Sequence, residues 1–372
     1  MRDSSAEILT VLSGSQTPHF EMDVLYDNEV VLSHVPITGV QINDDASGAI
    51  ETSGSVTVVW QDDYGQSMTP REIGDVFSPF GTELAIYSIV GVGSSFSYRV
   101  PLGIFPIFDV PSARDETALF RGYEVVAGSV VELSFKDRFL LVQRNRFDVP
   151  GVPASLDSVY AELMRLTGLQ MTQSIPDGPI TRKVVYEEDR LQAVYDLAAV
   201  LDATPCLTPD GTLTLRPKSA GGPVATLVRG EDGTILNVGQ SMTSEGVYNR
   251  VAFRGKTDDK TAIFAASEVT SGPLRTRNDD GTLSPYGTAT TFLTSDYVTN
   301  SIQAQAYVDR ELPRVSRLGA REVPVDVLFN PLFELGDVLE LERYDRTITG
   351  RVKSISRSSS GRMPMKLEVL GG

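Results

Sequence analysis

Runs of four to eight apolar and β-branched residues, closed by Gly, Asp, Asn or Pro, recur along most of this chain, which is strand rather than helix grammar. In the first 150 residues the alternation predicts strands near Phe20–Tyr26, Glu29–Leu32, Ile37–Ile42, Gly54–Trp60, Glu83–Val90, Ser97–Ile107, Glu116–Tyr123 and Ser129–Phe135. So many short strands at close spacing predict a barrel or sandwich with meander connections. Pro101 and Pro106 sit poorly in a central strand, so the run that holds them is expected at an edge or bent. A short helix is expected within Lys136–Arg146, and Pro150 and Pro153 mark a boundary.

From about 151 to 220 the pattern changes. Ser155 is placed to cap a helix whose apolar face carries Leu156, Val159, Tyr160, Leu163, Met164 and Leu166, and Gly168 to end it. A second helix is expected from about Glu188, with Leu191, Val194, Tyr195, Leu197, Ala198 and Leu201 inward. Cys206–Thr208, Pro209-Asp210-Gly211 and Thr212–Arg216 read as a hairpin. These make a small α+β module. Strand grammar returns in 221–372, at Ile235–Met242, Val247–Arg254, Ala262–Val269, Glu322–Val327, Val338–Glu342, Ile348–Arg357 and Met365–Leu370. A polar loop, Thr270–Ala289, and a helix over Asp296–Leu312 with Val298, Ile302, Ala306 and Val308 inward fall within an insertion of about 257–318. The fold class expected is thus mainly β with a small α+β module: two β-barrel-like domains, 1–150 and 221–372, flanking 151–220.

The chain has 372 residues, enough for two or three domains, with 41% hydrophobic and 22% charged residues as in a soluble globular protein. No apolar run approaches the roughly 20 residues of a membrane helix, and the opening Met1–Glu7 lacks the basic-then-apolar pattern of a signal peptide, so no membrane insertion is expected. Cys206 stands alone, which excludes an intrachain disulfide and a Cys-rich zinc site. The formal charge of −16, from 49 acidic against 33 basic residues, disfavours ordinary nucleic-acid binding. An acidic surface serves solubility in the first place, and an acidic wall also suits a channel through which DNA slides without sticking.

Catalytic constellations are thin. His19 and His34 are the two histidines, and no nucleophile elbow accompanies them. Asp210-Gly211-Thr212, Asp232-Gly233-Thr234 and Asp280-Gly281-Thr282 place Asp-Gly before Thr, the chemistry of hairpin turns and not the Asp-Thr/Ser-Gly of aspartic proteases. Asp44-Asp45, Asp62-Asp63, Asp258-Asp259 and Asp279-Asp280 lack the spacing of an EF-hand and read as solvated loops, weak Ca²⁺ sites at best. Gly91-Val92-Gly93 and Gly221-Gly222-Pro223 lack the residues of a phosphate loop. Arg138, Arg144 and Arg146 are expected to pair with local carboxylates. With Trp60 the sole tryptophan, a sugar-binding aromatic platform is not evident. No catalytic residue, cofactor or metal ligand is assigned, and no enzyme is expected.

Four stretches carry a family resemblance. Ser134–Phe139 leading to Asn145-Arg146-Phe147, Glu187–Ala203 with the Pro209-Asp210-Gly211 turn, Val247-Tyr248-Asn249-Arg250-Val251, and Asn330-Pro331 running to Gly336-Asp337-Val338 resemble, in that order, elements of tail hub or minor tail proteins of long-tailed bacteriophages. The resemblance implies that Asn249, Arg250, Asn330, Pro331, Gly336 and Asp337 open strands of the second barrel. It also implies a homotrimeric virion protein of the tail tip, assembled in the host cytoplasm. Two barrels per subunit would adapt a sixfold tail tube to a threefold tip and line the DNA channel. Its partners would be the tube or distal tail protein, tip or fibre proteins, and phage DNA passing without specific binding. The alternative is a tail component that binds or degrades host-surface carbohydrate.

Overall fold

The structure is a computed structural model that describes all residues except 3–4, 13, 15–16, 62–65, 93–95, 181–183, 231–232, 240–243, 245, 257–261, 295–297, 299, 317–321, 345 and 371–372. A short helix, α1 (Ala6–Leu12), precedes β1 (His19–Tyr26), β2 (Glu29–Asp45), β3 (Thr52–Trp60), β4 (Thr82–Val92), β5 (Phe96–Phe120) and β6 (Tyr123–Lys136). These strands pair in the order β1-β4-β5-β6-β3-β2, and β2 pairs back onto β1, closing a first ring. Period-2 alternation turns Met22, Val24, Ile42, Val56, Val58, Leu84, Ile86 and Leu133 to the buried side. Two pairs of expected strands merge: Glu29–Leu32 joins Ile37–Ile42 in β2, and Ser97–Ile107 joins the first part of Glu116–Tyr123 in β5, which ends at Phe120, with Tyr123 across the turn in β6.

Pro101 and Pro106 are accommodated by a change of partner. β5 pairs with β4 up to Pro106 and with β6 from Ile107 onward, with register shifts opposite Ile86/Tyr87 and at Ile107/Asp109. Each proline therefore lies where only one edge of the strand is laddered, so its missing N–H costs little.

The α+β module packs α2 (Phe139–Arg144), α3 (Val159–Thr167) and α4 (Arg190–Val200) on the hairpin of β7 (Ala203–Leu207) and β8 (Leu213–Pro217). Phe139, Leu163, Leu166, Val194, Leu197 and Leu215 form its core. The cap of α3 is Ser158, not Ser155: its hydroxyl accepts from Ala161 N at 3.0 Å, while Asp177 takes the Val159 N–H at 3.0 Å, and Ser155 turns the chain just before. Gly168 ends α3 in the left-handed region (φ 71°). Met164, expected inward, is 48% exposed.

Beyond the module, β9 (Ala225–Leu227) and β10 (Ile235–Val238) are followed by β11 (Arg250–Lys256), β12 (Ala262–Glu268), β13 (Thr290–Leu293) and α5 (Ser301–Val315), then β14 (Glu322–Leu328), β15 (Val338–Glu342), β16 (Thr347–Ser358) and β17 (Arg362–Val369). The last four strands, with β9 and β10, pair in the order β9-β15-β16-β17-β14-β10. Ile235 N donates to Val228 O at 3.2 Å, which brings the two ends of this path together. Taken in chain order within each set, the first–fourth–fifth–sixth–third–second sequence of neighbours is the same as in the first ring. One departure is that β9 meets β15 in parallel, whereas β1 meets β4 antiparallel.

The chain divides into two compact units, Met1–Gly239 with Pro324–Gly372, and Gln240–Val323. The second holds a three-stranded sheet, β12-β11-β13, with α5 against it. Val247–Val251 therefore leads into a strand of this small sheet and not of the second ring. The inward face of α5 is Ala304 and Val308; Ile302, about 200° around the helix from Ala304 at 100° per residue, is 81% exposed. Val298 does pack against this core, whereas residues 296, 297 and 299 of the expected helix lie outside the described residues.

Candidate functional site

The two rings are joined by strand pairing. β1 covers β2 only as far as Pro36, so the far end of the 17-residue β2 is free to ladder with β16, from Asp45 opposite Ser354 to Gln41 opposite Ser358. Ala46 N extends the ladder to Lys353 O at 2.9 Å. The seam carries a charge cluster. The Arg357 guanidinium, 1% exposed, pairs with Asp44 and donates to Phe333 O at 2.7 Å. The other Asp44 oxygen accepts from Thr52 Oγ1 at 2.8 Å. Asp137 takes the Thr52 and Phe139 N–H groups, each at 2.9 Å. Beside them Arg216 pairs with Glu51 and donates to Leu335 O at 3.1 Å. Arg2 donates to Pro331 O at 2.6 Å, Leu102 O at 3.2 Å and Glu334 at 3.2 Å. A cleft of about 600 Å³ opens among Arg2, Asp44, Glu51, Cys206, Arg216 and Arg357.

The segment 330–337 is wound around these arginines. Asn330 Oδ1 accepts from Leu332 N at 3.0 Å, which turns the chain so that the Pro331 carbonyl faces Arg2. Gly336 has φ +86°, and a Cβ there would lie 2.3 Å from Arg216 Cδ, so glycine is required both by conformation and by space. Asp337 closes the turn by accepting from Glu334 N at 2.8 Å. Asn330, Pro331, Gly336 and Asp337 thus come together.

Asn249 and Arg250 belong to the second unit. Asn249 is fully buried and donates to Leu274 O and Gly287 O at 3.0 and 2.7 Å, while its Oδ1 accepts from Ala289 N at 2.8 Å. It pins the loop 270–289 to the head of β11. Arg250 makes a surface contact with Glu268 at 3.9 Å. Arg2, Glu51, Arg216 and Arg357 had no local signal, because their partners stand far away in sequence.

Burial governs the electrostatics of the seam. Desolvation raises Glu51 to about 7 against the pull of Arg216, and raises Asp137 to about 6 against the backbone N–H groups that favour its anion. Desolvation, then repulsion from Arg357, lowers Arg2 to about 10. Burial pushes the Cys206 thiol up to about 12, so it stays protonated at neutral pH. The cleft has no histidine in its lining. His19 lies on β1, and His34, on β2, contacts Glu21 at 3.1 Å with 64% of its side chain exposed. The arrangement clamps strands of the two rings together.

The remaining motifs resolve as turns and pairs. Asp210 and Asp280 accept from Thr212 and Thr282 within their turns. Asp62-Asp63, Asp258-Asp259, Asp232 and Gly93 lie outside the described residues. Among the described residues no group of three or more His, Cys, Asp and Glu could hold a metal ion, and no helix is long and apolar enough to cross a membrane. Arg138 pairs with Glu83 at 2.6 Å and Arg146 with Glu188, whereas Arg144 lies over the Phe108 ring at 5.7 Å.

No protein-family model matches the sequence, and no curated protein does. Solved structures do. A tail protein from Neisseria meningitidis MC58 aligns over 94% of this chain and 96% of its own, with a TM-score of 0.61 at 13% identity. The 43 kDa tail protein of prophage MuSo2 from Shewanella oneidensis aligns over 94% and 98%, with a TM-score of 0.56 at 10% identity. Prophage tail protein gp18 from Listeria monocytogenes EGD-e aligns over 94% of each chain, with a TM-score of 0.53 at 10% identity. Nearly the whole chain therefore has the mainly β fold of these tail proteins.

Proposed function

We propose that this chain is a structural protein of a phage tail tip, a hub that adapts a sixfold tail tube to a threefold tip and lines the DNA channel. The observation that carries the reading is the repetition of one six-strand order within a single chain, the two copies joined edge to edge by β2 and β16. Three such chains offer six comparable rings, which reconciles the two symmetries. The rings are then barrels, in domains 1–150 and 221–372 on either side of the 151–220 module, with Gln240–Val323 rather than 257–318 as the insertion.

The charge of −16 suits a channel wall from which DNA is repelled, so DNA passes without specific binding. The tube or distal tail protein and tip or fibre proteins are the partners, and assembly takes place in the host cytoplasm. The chain acts without catalysis or cofactor. A second reading, a component that binds or degrades host-surface carbohydrate, is favoured by Phe120 and Tyr123, 61% and 77% exposed at one hairpin tip beside Glu124.

Gold-labelled antibody on particles carrying the chain separates the readings. Label on the tail axis at the tip, with no glycan binding by the purified protein, is the expected result. Peripheral label with glycan binding lost in Phe120→Ala overturns it.

A further inference from the structure

The small unit Gln240–Val323 has one covered sheet face and one bare one. Its strands run β12-β11-β13, and alternation turns Val251, Phe253, Ile263 and Leu293 onto the α5 side. The opposite face carries Arg250, Arg254 and Lys256 on the central strand, flanked by Phe264 on β12 and Phe292 on β13. Phe264 stands directly across from Arg254, and Phe292 beside Ala252, one two-residue step away. The two rings are 69% and 55% exposed, and the Arg254 guanidinium lies over the Phe292 ring at 4.2 Å. Strand spacing sets them about 12 Å apart, too far to pair with each other, so each is a separate platform. Ala252 and Ala266, opposite one another in the ladder, leave the floor between them flat. Arg250 contacts Glu268 at 3.9 Å, while among the described residues neither Arg254 nor Lys256 has a carboxylate partner.

We infer that this sheet face binds single-stranded nucleic acid without sequence preference, its two phenylalanines stacking bases and its three cations following the phosphates. The inference goes beyond the tail-hub reading and does not rest on it. Separated aromatic platforms interleaved with cations match a polymer that repeats planar rings and negative charges. The guanidinium already stacked on Phe292 adds a further planar surface for a base. Duplex DNA keeps its base faces stacked inside and so offers the phenylalanines nothing. A carbohydrate needs amide or carboxylate partners for its hydroxyls, and Glu268, the one such group among the described residues of this face, already faces Arg250. The charge of −16 belongs to the whole chain. Salt limits its reach to about 8–10 Å, so over this face the local excess of cations decides.

The test follows the fluorescence anisotropy of a labelled oligothymidylate titrated with the full chain over a range of salt. Binding is expected at low salt, with log affinity falling against log salt at a slope of about −2, as three phosphate contacts require. Phe264→Ala and Phe292→Ala should each weaken it about tenfold, and Arg254→Gln should weaken it and reduce the slope by about 0.7. A duplex of the same length should bind more weakly by about tenfold or more. Ile302→Ala, which trims an exposed apolar side chain of α5, should change nothing. If a phenylalanine variant loses its thermal midpoint, Arg254→Gln and its salt slope decide. Absence of binding at low salt overturns the inference, and so does affinity that survives both phenylalanine substitutions. Equal affinity for the duplex, or displacement by polyglutamate as effective as by unlabelled strand, also overturns it, because either reduces the face to a general anion patch. None of these outcomes touches the hub reading, which the antibody label decides.

Discussion

The two rings share a strand order but close differently. In the second, the fifth and sixth strands are 12 and 8 residues long, and the β16 edge beyond β15 is sealed by β2. In the first they are 25 and 14 residues long and continue as a two-stranded arm past the end of β3, with Leu119, Phe120 and Tyr123 largely exposed. A two-stranded ribbon with an apolar tip is marginal in water. One scaffold has thus been finished internally in one ring and left with an arm in the other. Exposed apolar surface of this kind marks a contact site.

The largest effect should come from the sealed seam. Arg357→Met leaves Asp44 buried without its cation, and urea unfolding should show a loss of about 3–5 kcal/mol. A loss under 1 kcal/mol would mean that the seam is held by its ladder and apolar packing alone. Gly336→Ala should cost about 1–3 kcal/mol through strain and displacement of Arg216, while Gly222→Ala, where a Cβ meets nothing within 4 Å, should leave the midpoint unchanged.

The pH dependence sharpens the same contrast. Glu51, raised to about 7, binds its proton in the folded state where the unfolded chain has released it. Its contribution is fully present below the unfolded value of about 4.5 and is lost as pH rises through about 7. Asp137 adds the same sign between about 4 and about 6. Unfolding free energy should therefore fall between pH 4.5 and 7 by an amount on the order of 1–3 kcal/mol. Glu51→Gln should flatten that slope, and an unchanged slope would remove Glu51 from the account. The smallest effect on stability belongs to the arm of the first ring. Replacing Leu119, Phe120 and Tyr123 by Ser should move the thermal midpoint little, within about 0.5 kcal/mol, and a large drop would show that the tip is packed within its own chain.

Much of the strand vocabulary was legible because alternation is local: Phe20–Tyr26 became β1, and Pro209-Asp210-Gly211 became the turn of β7 and β8. β5 read as two strands because Asp109–Asp115 interrupts its apolar pattern with proline and charge, which an edge with solvent on one side tolerates. α1 escaped notice, since a seven-residue helix with two buried apolar positions has almost no periodicity to detect. The site was legible only in outline. Asn330, Pro331, Gly336 and Asp337 could be singled out as turn chemistry, but the arginines they serve could not, since Arg357 meets Asp44 across 313 positions and Arg216 meets Glu51 across 165. Asn249, expected to open a strand of the second barrel, opens one of the small sheet instead, because a strand opening looks alike whichever neighbours it acquires.

The central claim is that two comparable rings in one chain build a sixfold-like surface from three copies. A cryo-electron microscopy map of the assembled protein tests it most directly. The account predicts threefold symmetry with six similar rings around an axial channel. A closed assembly in which first and second rings lie at different radii, or one without a central channel, would contradict it.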